Sequence, residues 1–388
     1  MDRIFEDTAT AFKLKSDSEL ERAYFLFKLI SNQPLVKIGT AVTNFAINAH
    51  LPVEGLIRAT VFDHFCGGVN ETDCLPMIDK MYAEGVSAIL DYSVEGKNIE
   101  NQLDSALEKV LGVLDFVKAK EAIPFAVFKP SAFGRFELLE KVNAKEALTE
   151  TEQAEWDRVV GRYNKVCKKA FDLDVALLID AEESWIQDAA DELALHMMRT
   201  YNREKAVIFN TAQLYRWDRI AYLEALNEKA IDEGFKVGIK VVRGAYMEKE
   251  NDRASENGYR SPICTSKKAT DENFDTAAQF MLDNLAVFTI FMGTHNEESC
   301  YKLMEQMKER NIPNNSEQIW FGQLLGMSDH ISFNLAKQGY HSSKYLPYGP
   351  VRDVMPYLIR RAEENTSVAG QTSRELELLK KEKARRKV

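Results

Sequence analysis

The sequence predicts an α/β chain: a (βα)8 barrel of the TIM type with an N-terminal helical subdomain. Three observations predict it. From about residue 84, short apolar runs alternate with longer amphipathic stretches, and eight such runs can be counted. Most are rich in Val, Ile, Leu or Phe at consecutive positions, which marks a parallel strand buried on both faces. Polar residues recur at the ends of these runs, and eight buried strands with helices between them close a barrel. The 388 residues suffice for a barrel of about 250 residues plus an added subdomain.

Residues 1–80 read as helical. Ser18 to Ile30 offers Ser18 as an N-cap, a glutamate three residues on and an apolar stripe. Ile38 to Ala49 is nearly all apolar or small and is expected to be buried. Val61 to Gly68 ends in a glycine pair, a helix stop. The strands expected next are Ser87–Tyr92, Pro124–Lys129, Val175–Asp180, Ala206–Asn210, Lys236–Val242, Ala286–Met292, Ile319–Gln323 and Ser343–Pro347. The charged stretch Glu140–Glu155 is expected to begin a long helix that continues through Trp156–Asp172. The division is thus a helical subdomain at 1–80, a catalytic barrel at 81–370 and a basic tail at 371–388. The tail ends in ELELLKKEKARRKV from Glu375. Its simplest reading is a solvated helix or frayed end. A sharper one is attachment to an anionic membrane surface, at about 1 kcal/mol per basic residue.

Composition removes several classes. An apolar fraction of 45% with 28% charged residues is ordinary for a globular protein. The net charge of −10 argues against nucleic acid as a partner. Cys66, Cys74, Cys167, Cys264 and Cys300 are odd in number, scattered and without a CxxC pair, which fits a reducing compartment. No HxH or HExxH occurs, so no metal is expected. The N-terminus has neither the basic start of a secretory signal nor the acid-poor composition of a transit peptide. No run of about 18 apolar residues occurs. A bacterial-type cytoplasmic location, or a mature form already processed, is therefore expected, with peripheral contact to the inner membrane left open.

In barrels of this class the active site forms where the strands end. Lys129 closes the second strand, Asp180 the third, and Gln213 follows the fourth. Arg243 and Tyr246 follow the fifth, Thr294, His295 and Asn296 the sixth. Gln323 to Met327 follow the seventh, and Tyr345 ends the eighth. One polar strand end is often only a capping group; seven point to a site. Lys240, inside an apolar strand, needs a partner. After the last strand, a helix carries Arg360 and Arg361 side by side. They point about 100° apart, so they can share a ligand only by gripping it from both flanks. A small carboxylate suits that grip. Glu364 is placed to hold either arginine. By itself such a pair more often marks a solvated helix face.

Five blocks in order tip that balance: Ile179-Asp-Ala-Glu-Glu183, Val242-Arg-Gly-Ala-Tyr246, Gly293-Thr-His-Asn296, Gln323-Leu-Leu-Gly-Met327, and Tyr357, Arg360, Arg361 and Glu364 with their spacing. They resemble the proline dehydrogenase family over roughly residues 60–368, in its stand-alone, monofunctional branch. The resemblance implies a flavin enzyme that oxidises L-proline to Δ1-pyrroline-5-carboxylate and passes electrons to a quinone. It implies FAD contacts at Gln213, Lys240, Arg243, Gly244, Ala245, Thr265, Lys267, Thr294, His295, Asn296, Gln323, Leu324 and Glu364. Lys240 stands where many members have arginine. No GxGxxG follows a strand, so a Rossmann site is not indicated. On the substrate side the resemblance implies a carboxylate clamp of Arg360, Arg361 and Lys129. Asp180 would hold Lys129 or Arg361. Tyr246, Tyr345 and Tyr357 would wall the ring, with Leu324 or Leu325 beside it. Tyr357 also suggests proline over hydroxyproline.

Other readings stay open at this point. A hydroxyproline dehydrogenase of the same family is one. A Schiff-base aldolase with Lys129 or Lys240 as nucleophile is another. A non-catalytic barrel that binds an amino acid through the arginine pair is the third. Sequence does not assign residues 1–80, the oligomeric state or the electron acceptor.

Overall fold

Runs such as Phe125–Phe128 and Ala176–Ile179 have no polar face to give to water, so they are stable only as interior strands. The computed structural model describes residues 3–32, 34, 54–92, 99–367 and 371–388, without the side chains of 54, 56, 59, 362–367 and 371. Its strands are β1 (Val86–Tyr92), β2 (Phe125–Phe128), β3 (Ala176–Ile179), β4 (Ile208–Gln213), β5 (Val237–Val242), β6 (Phe288–Gly293), β7 (Ile319–Leu324) and β8 (His341–Tyr348). They close a barrel in sequence order, as expected. β1 runs parallel to β8, from Val86 opposite Ser342 to Tyr92 opposite Tyr348.

The largest difference from the expected strands is at β4, which runs on to Gln213. Asn210, Thr211 and Gln213 are polar yet buried. Each finds an interior partner: Asn210 donates to Asp191 Oδ1 at 2.8 Å, Thr211 Oγ1 to the Ile179 carbonyl at 2.7 Å and Gln213 Nε2 to the Glu182 carbonyl at 2.7 Å. A buried polar group that is hydrogen-bonded does not end a strand.

The chain divides into two compact units, residues 1–95 with 322–388 and residues 96–321. In the second unit, Phe125 meets Phe209, Phe291 and Trp320 edge to face, with centroids 5.0–5.8 Å apart. Gly238 makes room for this layer, because a Cβ there would lie 2.6 Å from Phe209 Cγ.

Several local expectations are corrected. The first long helix is Asp17–Ile30, capped by Ser16 in a capping box with Glu19, not by Ser18. Ser16 wins because its hydroxyl faces the Glu19 amide. Glu140 and Asp172 belong to different helices, Phe136–Asn143 and Glu150–Asp172. Lys145 takes a positive φ between them, and Thr149 with Glu152 caps the second. The helix before Gly67 does end at Phe65, but neither glycine is left-handed. They permit close approach instead: Gly67 N–H donates to the Pro347 carbonyl, and a Cβ on Gly68 would sit 2.4 Å from Asp73 Cβ. Ile38–Ala49 lies outside the described residues.

The C-terminal segment is neither frayed nor simply solvated. It forms the helix Gln371–Arg386. Leu378 and Leu379 are buried with Ala11, Phe12, Leu20, Ala23 and Phe27. Two buried leucines are worth about 1.5–3 kcal/mol each, more than fraying gains in entropy. Its basic residues also pair with acidic ones: Lys381 with Glu6 at 3.0 Å, Lys383 with Glu21, and Arg386 with Asp17 at 3.1 Å.

Candidate active site

In the second unit, polar residues cluster where β2 to β6 end. Lys129 follows β2, half-buried, and caps the turn Pro130–Ala132. Asp180 follows β3, and its amide donates to the Phe128 carbonyl at 2.9 Å. Its carboxylate takes the Lys240 ammonium, whose side chain is only 7% exposed. The sequence reading gives Asp180 to Lys129 or Arg361. The barrel also brings Lys240 to it, because side chains of alternate strands, here β3 and β5, share an interior layer.

Glu182 was not foreseen. It is buried, and its carboxylate accepts the Ser131 amide at 2.8 Å and the Ser131 hydroxyl at 2.6 Å. Burial pushes its carboxyl up, while the Lys129 charge and the Ser131 bonds oppose the rise. Its carbonyl also holds Gln213, so one residue links the ends of β2, β3 and β4. The only sequence signal was its place inside the Asp180–Glu183 block.

Arg243 anchors a second group. Its guanidinium donates to Asp271 at 2.7 Å, Thr294 Oγ1 at 2.8 Å and Ser299 Oγ at 3.0 Å, and lies 4.4 Å from the Phe274 ring centre. Asp271 also receives Lys267 at 2.7 Å. Arg243, Lys267 and Thr294 are thus brought together by Asp271 and Ser299, neither of them a sequence candidate. Asn296 caps the helix Glu297–Glu309 with its side-chain oxygen, and His295 beside it is half-buried. Thr265 is exposed, and Ser266 caps the helix Lys267–Asp283. Gly244 has φ 134°, and a Cβ there would lie 2.5 Å from the Tyr215 ring. Gly244 and Ala245 are exposed, and Tyr246 is half-buried.

In the first unit, Gln323 is buried and accepts the Ser332 hydroxyl at 2.7 Å. Leu324 is half-buried against a cluster that includes Met327, Val354 and Tyr357. Tyr345 is buried, and its carbonyl receives the Leu325 amide at 2.9 Å. The helix Met355–Ser367 carries Tyr357, Arg360 and Arg361. Arg361 is buried and lies 5.0 Å from the Tyr357 ring centre, while Arg360 is half-buried. The Glu364 side chain lies outside the described residues. Among the described residues no group of His, Cys, Asp and Glu could hold a metal ion, and no helix is long and apolar enough to cross a membrane.

The closed parallel (βα)8 barrel carries cations and hydrogen-bond donors at its strand ends, where barrel enzymes place their active sites. The proline dehydrogenase family model matches residues 74–374, and the chain belongs to that family of oxidoreductases. Carbapenem antibiotics biosynthesis protein CarD of Pectobacterium carotovorum subsp. carotovorum is 35% identical over 335 residues, 86% of this chain and 87% of that protein. Proline dehydrogenase 1, mitochondrial, of Homo sapiens is 40% identical over 241 residues, 61% of this chain and 40% of that one. Proline utilization A (PutA) from Bdellovibrio bacteriovorus, inactivated by N-propargylglycine, has a similar fold. Its TM-score is 0.72 at 20% identity, over 97% of this chain and 38% of that one. The chain therefore spans about two fifths of the human and PutA chains.

Proposed function

We propose that this chain is an FAD-dependent L-proline dehydrogenase that forms Δ1-pyrroline-5-carboxylate and passes electrons to a quinone. The observation that carries the reading is the arginine pair. Arg361 is buried over Tyr357, a contact that fixes the plane of its guanidinium, and Arg360 adjoins it. A planar fork held in place suits a carboxylate better than a solvated helix face does.

The residues present fit FAD by their chemistry. Lys240 and Arg243 supply fixed positive charge, each anchored by a carboxylate. Gly244 and Ala245 leave backbone open to a close-lying ligand, at a φ that only glycine tolerates. Lys267, Thr265 and Ser266 stand at a helix N-terminus, which favours phosphate oxygens. Gln213, Thr294, His295 and Asn296 are proposed for the same cofactor, as are Gln323, Leu324 and Glu364. When bound, FAD supplies the two-electron acceptor.

The chain's own residues bind and orient. By the family resemblance, Arg360, Arg361 and Lys129 are the residues proposed for the proline carboxylate. Tyr246, Tyr345 and Tyr357 would wall the proline ring, and the ring amine must be neutral when the C5–H bond breaks. Asp180 holds the Lys240 charge in place. Positioning of this kind can supply several kcal/mol of the barrier reduction, up to about 7–11 in well-aligned cases. A cytoplasmic enzyme peripheral to the inner membrane accompanies the quinone reading. Attachment through the C-terminal helix would compete with the ion pairs of Lys381, Lys383 and Arg386.

The test is an anaerobic visible spectrum before and after L-proline. Flavin bands that bleach with L-proline and not with hydroxyproline are expected. Bleaching with hydroxyproline alone would make it a hydroxyproline dehydrogenase. A protein without flavin after reconstitution with FAD would overturn the reading, and a lysine trapped by borohydride would replace it with an aldolase.

A further inference from the structure

The loop after β7 holds two left-handed residues, Gly326 (φ 79°) and Ser328 (φ 52°). Glycine takes that conformation freely, but serine is strained in it. Such strain persists only where neighbours over-determine the backbone, and it gathers at ligand sites. Here the neighbours do so. The Leu324 and Met327 carbonyls accept Lys344 Nζ at 3.3 and 2.5 Å, and the Leu325 amide donates to the Tyr345 carbonyl. The Gly326 carbonyl meets His64 Nε2 at 2.9 Å. The Ser328 amide donates to Glu375 Oε1 at 2.5 Å.

Two of the side chains that clamp this loop, Lys344 and Glu375, are buried and ionisable. Lys344 is fully buried and pairs with Asp329 at 2.8 Å, which also pairs with Lys15 at 3.1 Å. Glu375 is 3% exposed. Buried ion pairs give little net stability compared with apolar residues of the same size. A role in fixing geometry accounts for them better. Glu375 differs from the rest because it reaches the loop from the C-terminal helix. That helix is seated independently by Leu378, Leu379 and the Arg374–Glu6 pair at 2.5 Å.

We infer that Glu375 is a positioning residue: through the Ser328 amide it sets the loop Leu324–Ser328, and with it the wall that Leu324 and Leu325 offer the substrate ring. The inference rests on the proposed function for the identity of that ring. It makes residues 371–388 a strap that belongs to the working enzyme. It also places Lys344, one residue before Tyr345, as the shared anchor of β8 and the loop.

The test uses the full-length holoenzyme with Glu375→Leu, which removes the acceptor, and Glu375→Gln, which keeps one. For Glu375→Leu the expected result is a proline KM raised about tenfold, since one charge-assisted hydrogen bond is lost. Selectivity for proline over hydroxyproline should fall, with flavin content unchanged. Glu375→Gln should restore both. A lower Tm with unchanged KM and selectivity in Glu375→Leu would overturn the inference. If Glu375→Leu does not fold, the double variant Lys344→Met/Asp329→Leu must give the same kinetic change, and unchanged kinetics there would also overturn it. If the wild type oxidises neither substrate, the proposed function fails separately. The strap is then judged by hydrogen exchange, and a Ser328 amide as protected in Glu375→Leu as in wild type would end it.

Discussion

Replacing Asp180 with asparagine takes a carboxylate away from the buried Lys240 ammonium. Lys240 stands between Ile239 and Val241 on β5, both fully buried, and its own side chain is 7% exposed. Removing one partner of a buried pair costs about 3–5 kcal/mol. The Asp180 side chain is 17% exposed, so some water reaches the pair and the low end applies. The expected loss is about 3 kcal/mol. For a unit the size of residues 96–321 this lowers Tm by about 6–12 °C. Lys240→Met should cost less, about 1 kcal/mol, because the carboxylate it leaves behind keeps some contact with water. The double variant should lose no more than Lys240→Met alone, which gives a coupling of about 3 kcal/mol in the cycle. Thermal and urea unfolding of the four proteins measure it. Additive losses, or an Asp180→Asn protein that melts with the wild type, would refute the reasoning. The double variant should still bind FAD poorly, since Lys240 is proposed as one of its contacts.

Other expectations follow from the same geometry. Arg360→Met should raise the proline KM about 100-fold, the loss of a charge-assisted carboxylate contact of about 3 kcal/mol, with flavin content near normal; steady-state kinetics and the flavin-to-protein absorbance ratio check this. Burial would raise the Asp218 carboxyl, but hydrogen bonds from Arg219 and Arg216 overcome it and hold the group at about 2 against an ordinary 3.8. The stability this provides is present above pH 3.8 and lost as pH falls toward 2; Asp218→Asn should flatten that part of the acid-unfolding curve by about 2 kcal/mol. Gly161 lies inside the helix Glu150–Asp172 with nothing within 4 Å of its would-be Cβ, so Gly161→Ala should raise stability by about 0.5–1 kcal/mol. Gly68→Ala should destabilise by about 1–3 kcal/mol, because its Cβ would overlap Asp73; urea midpoints decide both.

The barrel was legible in the sequence because its signal is local. Most strands are short runs rich in apolar residues, and the helices between them are amphipathic, so the order of elements follows from patterning. The strand-end candidates were legible for the same reason, since a barrel places its working groups where the runs stop. Their partners were not. That Asp180 meets Lys240 depends on β3 and β5 sharing an interior layer. That Arg243 is held by Asp271 and Ser299 depends on helices distant in sequence. Glu182 gave only its place in a block, and Lys344 and Glu375 gave no signal, because a buried charge looks like a surface charge until the fold supplies what surrounds it. The C-terminal helix makes the same point. Its lysines and arginines read as a solvated tail, while Leu378 and Leu379 find a core only after the chain brings Phe12 and Phe27 beside them. Sequence determined which residues form strands and helices and which groups stand at strand ends. Tertiary structure alone decided which charges meet, because pairing depends on distance in space and sequence encodes only distance along the chain.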